Sequence, residues 1–588
     1  MSRHSLEHLI TILLIFYILF LVLPLTYTFT CLVDPFRSVW LALSTPAAVK
    51  FPDLHRLIEF YPYGDSLLIV VRGVDFGVIL NSVLLGLTVS LTSTFTALIC
   101  SSICYVYRVP GKLLYIPLLS LIPIPFVEAI AFEKLFNPSF GLINYFVSCI
   151  PLLSNFRFTI RGLAGVFLYQ FAVLYPIALV IVSGYISSMP GELIEASYSL
   201  GGRPSTTILR IIIPYSKPAI IASLITTFTF SIDDVVGPII FQGDSSARNL
   251  LSYRVYAYFI EEITGRIVPQ SAGYALILLL ISIAVFVFGY RYIPIIYRSF
   301  GSLLVFSAKH YRERISIGSA LLFLMVSIVN FAITAPMIIS VIYAFSEKWI
   351  ASPFPILGSS PFNLLFQSST RLRAVLNSLL YTLASIVISA FISFIAGYYT
   401  SRFKSVFSVL IDLLISIPLA LPGIVVAYSY FHTFTRLNLF PSPIRSPWIY
   451  LILAYAVRRT PYLYRVVQTM VTSIPLDLEE AAEFLGANFP LKMRDVVLPL
   501  MAKPLKISIL ITCIQIATEV STSITIGGLG GAQGFNHQAP ITYVVYTDIS
   551  LSGLVYANIA SSTVLFTLLL IAIAVLAPSI IIRMVRRV

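Results

Sequence analysis

Apolar runs long enough to cross a bilayer recur along the whole of this chain, and that recurrence narrows the folds open to it. A hydrocarbon core of about 30 Å needs roughly 20 apolar residues per helix. Such runs lie at 9–33, 78–105, 113–133, 161–187, 218–242 and 272–299, and again at 317–345, 375–400, 406–431, 447–472, 504–526 and 553–582. Of the 588 residues, 58% are hydrophobic and only 11% charged. Soluble domains carry about a quarter charged residues. A chain this apolar must turn much of its surface to lipid, and in lipid every backbone polar group has to be paired within the fold. The expectation is an all-α polytopic membrane protein with about twelve transmembrane helices.

The formal net charge is +13, but the basic residues do not form the extended face that nucleic acid would need. They fall in short stretches between apolar runs: Arg298, Lys309, Arg312 and Arg314; Arg402 and Lys404; Arg583, Arg586 and Arg587. That is the positive-inside pattern of cytoplasmic loops. An even number of spans places both termini on one side, and their charges make it the cytoplasm. The run after Arg3 and His4 is too long for a signal peptide and lacks a cleavage site, so it is read as a retained first helix. Segment 34–77, with Pro35, Pro46, Pro52 and Pro62, is then an external folded loop. Cys31, Cys100, Cys104, Cys149 and Cys513 have no metal-ligand spacing, and Cys100 and Cys104 read as small buried hydrophobes. The six histidines, His4, His8, His55, His310, His432 and His537, are dispersed on both sides of the expected membrane. Neither a resident metal site nor the constellation of a membrane-embedded enzyme emerges.

An internal repeat adds more. Around residue 190 the chain reads SSMPGELIEASYSLGGRPSTTILRIIIP, and around residue 475 TSIPLDLEEAAEFLGANFPLKMRDVVLP. Pro190, Glu195, Ala196, Gly201 and Pro214 each recur 285 positions later, as Pro475, Glu480, Ala481, Gly486 and Pro499. Lys217-Pro218 and Lys503-Pro504 follow after one inserted residue, and upstream Asn81-Ser82 resembles Asn377-Ser378. The chain therefore divides into a first half, 1–300, a cytoplasmic linker, 301–316, and a second half, 317–588. Each segment sits the same number of spans into its half, so the halves share one orientation; an inverted-repeat secondary transporter would need the opposite parity.

Within each segment, a proline at the first turn and acids near the start (Glu192 and Glu195; Glu479, Glu480 and Glu483) favour a short helix. Gly201 and Gly486 stand where it would stop and reverse. One such segment could be an ordinary amphipathic connector; two at matched positions weigh against that. The pattern E-A-(A/S)-x-x-x-G-x(12)-P resembles the "EAA" loop of permease subunits of binding-protein-dependent ABC importers of the type I fold. The resemblance implies that Glu195, Ala196, Gly201, Glu480, Ala481 and Gly486 couple the permease to two copies of a separate ABC ATPase. It further implies an extracytoplasmic substrate-binding protein and a multi-pass location in a prokaryotic plasma membrane. The chain itself has no G-x-x-x-x-G-K-[ST], and Gly527-Gly528-Leu529-Gly530-Gly531 lacks the lysine needed to cradle phosphates. It is therefore expected to be no enzyme and to hold no cofactor, ATP and Mg being bound by the partner.

Three acids, Asp233, Asp234 and Glu519, fall inside apolar runs, where charge is costly and marks a polar cavity or a partner. Counting 286 positions past the inserted residue sets Asp233 against Glu519. Two readings stand side by side: the acids line the substrate path, or they cap helices that break there. Arg458, Arg459 and Arg465, around Pro461, read as structural partners for acids. Pro123, Pro125, Pro418 and Pro422 should bend two equivalent spans. The fused two-half form, and the stretch LAYAVRRTPYLYRVVQTMVTSIP, resemble the iron(III) and thiamine branch, whereas Ser231-Ile232-Asp233-Asp234 resembles polyamine permeases. All three imply a small cation as substrate. The alternative is a secondary transporter or channel working without an ATPase, for which a duplicated acidic loop would have no use.

The orientation is open to direct test. Single cysteines placed by Ser205→Cys and Asn488→Cys in a cysteine-free background should resist an impermeant thiol reagent in intact cells and react after permeabilisation. Labelling of either from outside would reverse the assignment.

Overall fold

The computed structural model describes residues 3–32, 34–52, 57–107, 116–121, 126–266, 268–292, 295, 317–349, 352–437, 441–529 and 537–585. The linker 301–316, with Lys309, His310, Arg312 and Arg314, lies outside the described residues, as do His55, Pro123, Pro125, Arg298, Gly530, Gly531, Arg586 and Arg587.

Nine helices among the described residues are long and apolar enough to cross a membrane: Leu9–Thr30, Val78–Val106, Gly162–Ser187, Lys217–Ile240, Pro269–Tyr292, Ala320–Tyr343, Ser369–Arg402, Pro504–Ile526 and Ala557–Leu576. A tenth is counted if Val406–Leu419 and Gly423–Leu437, which meet at 102°, form one broken span. The helix Pro447–Ser473 has 27 residues, about 40 Å at 1.5 Å per residue, but its three arginines make it less apolar than the rest. The expected span 113–133 is not a single helix. Its described parts are a short turn at Pro117–Leu121 and a ten-residue helix at Val127–Phe136. Proline removes a backbone donor and clashes with the preceding turn. Pro418 and Pro422 precede Gly423 at the bend of the second-half run, and among the described residues nine or ten spans meet the length and hydropathy of a crossing helix where about twelve were expected.

Two further spans break at their acids. Lys217–Asp233 is followed by Val236–Ile240, and Leu498–Ala517 by Ser521–Ile526. The described parts of segment 34–77 are folded rather than a span, as its prolines and charges suggested. It contains the helix Pro35–Leu43 and a hairpin of Ile58–Tyr63 with Ser66–Val71. The second strand also pairs in parallel with Phe156–Ile160, giving a three-stranded sheet beside the first half.

The repeat is visible as hydrogen bonds. Ser82 Oγ accepts from the backbone N–H of Leu251 at 2.8 Å, and Ser378 Oγ accepts from that of Ile541 at 2.7 Å. Each serine thus holds the first residue of a helix, Leu251–Ile263 or Ile541–Ser552. The neighbouring Asn81 and Asn377 donate to the carbonyls of Asn249 and Ala539, just before those helices. In the first half Asp75 joins this network. Burial pushes its carboxyl up, but hydrogen bonds from Lys50, Asn81, the Gly77 N–H and Asn249 outweigh that and hold it below the usual carboxylate range.

The halves interlock, because the leading helix of each packs on the other. Thr28, in the first, bonds to Thr433 at 3.1 Å, and Asn330, in the leading helix of the second, accepts from the Tyr175 hydroxyl at 2.6 Å. Lys134 donates to the carbonyls of Trp349 and Ser352 across the same junction. On the side opposite the repeated loops, Tyr256 and Tyr546 from the two matched helices meet hydroxyl to hydroxyl at 2.6 Å. One apolar core runs through both halves.

Candidate functional site: paired loops and a buried ion cluster

The two repeated segments fold as helix, reversal, helix. The helix Glu192–Ser199 ends at Gly201, with φ +76°, and Leu476–Phe484 ends at Gly486, with φ +83°. Each reversal closes identically: the N–H of Gly201 bonds to Tyr198 O and that of Gly202 to Ser197 O, as Gly486 does to Glu483 O and Ala487 to Ala482 O, all at 2.9 Å. Glycine takes this left-handed conformation without the clash a Cβ would bring. Glu195, Ala196, Glu480 and Ala481 are presented on the loop helices, with Glu195 and Glu480 exposed. So are the helix ends, where Leu200 and Leu485 are each 89% exposed and Phe484 91%.

Beneath that shared surface the loops are anchored differently. Glu479, next to the exposed Glu480, is buried. It accepts from Arg402 and from the Tyr398 hydroxyl at 2.7 Å, both at the end of Ser369–Arg402, and pairs with Lys492 at 3.4 Å. Lys492 also donates to Glu483 at 2.6 Å. Burial lowers the Lys492 ammonium, but Glu483, Tyr398 and Glu479 outweigh it and hold it above the usual lysine value. In the first loop, the positions 285 earlier than Glu479 and Lys492 are Ile194 and Thr207. Ile194 packs against the apolar core, and Thr207 shares a 2.8 Å hydroxyl bond with Ser197. One loop is anchored by buried ions, the other by apolar contact and neutral hydrogen bonds, including that of the Tyr105 hydroxyl to the Met189 carbonyl at 3.2 Å.

The intramembrane acids gather where the halves meet. Arg458 donates through Nη2 to Asp233 Oδ2 at 2.8 Å and through Nη1 to Glu519. The other Asp233 oxygen accepts from the Gly423 N–H at 2.8 Å, so a first-half acid caps the second half's broken helix. Glu519 accepts from the N–H groups of Thr522 and Ser523 at the start of Ser521–Ile526. Asp234 does the same for Val236 and Gly237, both at 3.1 Å, and takes a further bond from Gln170 at 3.0 Å. Glu519 and Asp234 thus play the same capping role, and the capped pairs Val236-Gly237 and Thr522-Ser523 match at the 286 offset that sets Glu519 against Asp233, so the cap is supplied from positions one residue apart in the two halves. Capping satisfies the backbone groups that a break inside the membrane exposes.

The acids also border two adjoining cavities. One, of about 130 Å³, is lined by Asp233, Arg458, Arg459, Tyr462 and Glu519 among others. The second, of about 170 Å³, is lined by Glu128, Tyr169, Gln170, Asp233 and Asp234. Phe230, Asp233, Thr518, Val520 and Ser521 border both. Closer to the loops, Arg465 forms a second cluster, bonding Asp412 at 2.8 and 3.0 Å and Ser416 at 2.6 Å, while Tyr290 of the first half donates to Asp412. Reading Arg458 and Arg465 as partners for acids fits both clusters. Glu128 and Asp412 escaped the sequence reading, although each is a carboxylate within an apolar run, the signal that singled out Asp233. Among the described residues no group of three or more His, Cys, Asp or Glu side chains is placed to hold a metal ion.

Residues 6–300 and 389–582 match the family described as the binding-protein-dependent transport system inner membrane component. The chain belongs to that family. It is a membrane permease of the ABC importer type with both halves fused. A Haemophilus influenzae permease named for ferric transport is 24% identical over 500 residues, covering 81% of this chain and 75% of that one. The ferric transport system permease protein of Actinobacillus pleuropneumoniae is 24% identical over 496 residues, 81% of this chain and 69% of its own. A spermidine/putrescine transport system permease protein of Escherichia coli is 27% identical over 186 residues, 30% of this chain and 60% of that protein. A solved bacterial ABC transporter involved in the import of the acidic polysaccharide alginate aligns over 47% of this permease and 99% of its own chain, at 18% identity and a TM-score of 0.32.

The ion cluster makes a stability prediction. Arg458→Leu leaves Asp233 and Glu519 buried without a counter-charge, which costs about 3–5 kcal/mol. The purified permease should melt well below the parent in a thermal-shift assay. Adding Asp233→Asn and Glu519→Gln to Arg458→Leu should recover most of the loss; equal melting of the parent and the single variant would mean that the pair is not formed.

Proposed function

We propose that this permease is the pore of an ATP-driven importer for a small cation, iron(III) foremost, and that it works by alternating access. The ferric function named for the two long relatives, and the acids bordering the cavities, support that substrate class. Thiamine and polyamines remain within it. In this reading Asp233, Asp234 and Glu519 border the substrate path as well as capping helices. Both termini lie in the cytoplasm, and an extracytoplasmic binding protein delivers the cargo to the side where Tyr256 and Tyr546 meet.

The carrying observation is the pair of identically closed loops. Each offers a glutamate and alanine, Glu195-Ala196 or Glu480-Ala481, beside a protruding leucine. Exposed leucines at the tip of a polar loop suit insertion into a partner's cleft. Two such surfaces fit two copies of a separate ATPase, one per loop. ATP and Mg belong to those subunits, and the permease carries out no chemistry of its own.

A charge-assisted hydrogen bond to a partner arginine contributes about 1.5–3 kcal/mol. Glu195→Ala or Glu480→Ala should therefore weaken ATPase pull-down about tenfold or more on one side, and the double variant should abolish substrate-stimulated hydrolysis. Gly201→Val and Gly486→Val should impair assembly by straining the reversal. Unchanged assembly and stimulation in the double glutamate variant would remove the coupling role.

A further inference from the structure

The two cavities differ in charge, and the difference follows from how the halves diverged. The 285-residue offset that relates Pro176 to Pro461, the internal prolines of Gly162–Ser187 and Pro447–Ser473, also relates Val173 to Arg458 and Leu174 to Arg459. The first half thus has valine and leucine where the second has arginines. Arg458 is already engaged by Glu519 of its own half and Asp233 of the other. The 170 Å³ chamber beside the first half is lined by Glu128 and Asp234, in addition to Asp233, and among the described residues no Lys, Arg or His borders it.

Glu128 is the decisive group. It is 1% exposed, and its Oε1 has no hydrogen-bond partner among the described residues. It sits in the first turn of Val127–Phe136, where the N–H dipoles favour a negative charge. Lys134 of the same helix is bonded elsewhere, to the carbonyls of Trp349 and Ser352. Tyr169 lies within electrostatic range of both Glu128 and Asp234. A carboxylate buried without a partner is strongly disfavoured, and it recovers that cost by taking a proton or a cation.

We propose that this chamber is a cation-binding site in which Glu128 and Asp234, with the Tyr169 hydroxyl, hold a small cation during passage. The oxygen-only set of charged and hydroxyl groups suits a hard metal ion that keeps part of its water shell, or an alkylammonium group. A volume of about 170 Å³ accommodates either with several waters. The site rests on reading the chain as a cation importer's permease. It divides the acids into two pairs: Asp233 and Glu519 are neutralised by Arg458, and Glu128 and Asp234 face the cargo.

The test uses the full chain in lipid nanodiscs with Tb(III), a hard oxygen-seeking ion whose emission is sensitised by nearby tyrosine. Glu128→Gln should weaken Tb(III) binding about tenfold or more, and Asp234→Asn should weaken it too. Glu128→Asp, which keeps the charge, should retain binding and so guard against misfolding. Tyr169→Phe should lower the emission at saturation. Competition by Ga(III) would identify a metal-ion site, and competition by putrescine an ammonium site. Tb(III) binding by Glu128→Gln as tight as by the parent overturns the proposal. So does the loss of a protonated carboxyl infrared band in that variant with no change in binding, which would make Glu128 a proton carrier only. ATPase pull-down measured on the same variants keeps the two readings apart: intact assembly with indifferent Tb(III) binding removes the chamber and leaves the coupled permease.

Discussion

The guanidinium of Arg458 ties the two halves of this permease together by charge within the membrane. A charge at that depth must be neutralised within the protein, and its two carboxylates come from different halves, Asp233 and Glu519. Asp233 also caps the helix that restarts at Gly423, so one side chain neutralises an arginine and closes a broken span. The breaks at 234–235, 420–422 and 518–520 are possible because acids and prolines satisfy or remove the backbone groups that a break exposes. Broken helices, ion cluster and adjoining cavities are therefore one feature, formed where the repeats meet.

The repeats kept their scaffold and diverged in their charges. The prolines at 176 and 461, the glycines at 201 and 486, and the Asn-Ser pairs at 81 and 377 play the same backbone roles in both halves. Arg458, Glu479 and Lys492 stand opposite Val173, Ile194 and Thr207. A backbone requirement has few chemical solutions and constrains both copies alike. A buried ion needs only one partner nearby, which either half can supply, so charges can be lost from one copy if the other compensates.

That distinction also decides what was legible in the sequence. Spans, repeat and loop reversals were readable because they depend on local composition and on glycine and proline at fixed positions. The run at 113–133 was harder, since its hydropathy is that of a span although its described parts are a short turn and a ten-residue helix. Pairings were not readable at all. Nothing in the chain order says that Arg458 meets Asp233, 225 residues away, or that Glu479 turns inward to Arg402 while Glu480 beside it faces out. Glu128 was within reach, since a lone acid in an apolar run is informative wherever it occurs; its lack of a partner needed the fold.

The same asymmetry gives the second loop an ionic connection towards the cavity, whereas the first is tied to the end of Val78–Val106 by the Tyr105 hydroxyl, which donates to the Met189 carbonyl. Glu479 is clamped to Arg402 and Tyr398 at one end of Ser369–Arg402. Along that helix Ser401, Ser393, Ser389 and Ser385 donate in turn to the carbonyls of Gln468, Thr460, Ala456 and Ile452. Small residues at these positions let the two helices approach closely, and the hydroxyls fix their register. The partner helix is the one that carries Arg465 and Arg458. To move the second loop without moving Arg458, either the buried ion pair or the serine ladder would have to break; breaking the first leaves a buried charge unpaired, and breaking the second leaves hydroxyls and carbonyls within the span with no water to replace the bond. At the first loop the position equivalent to Glu479 is Ile194, which packs on the apolar core. Displacement of the second loop would therefore be transmitted to the ion cluster that joins the halves.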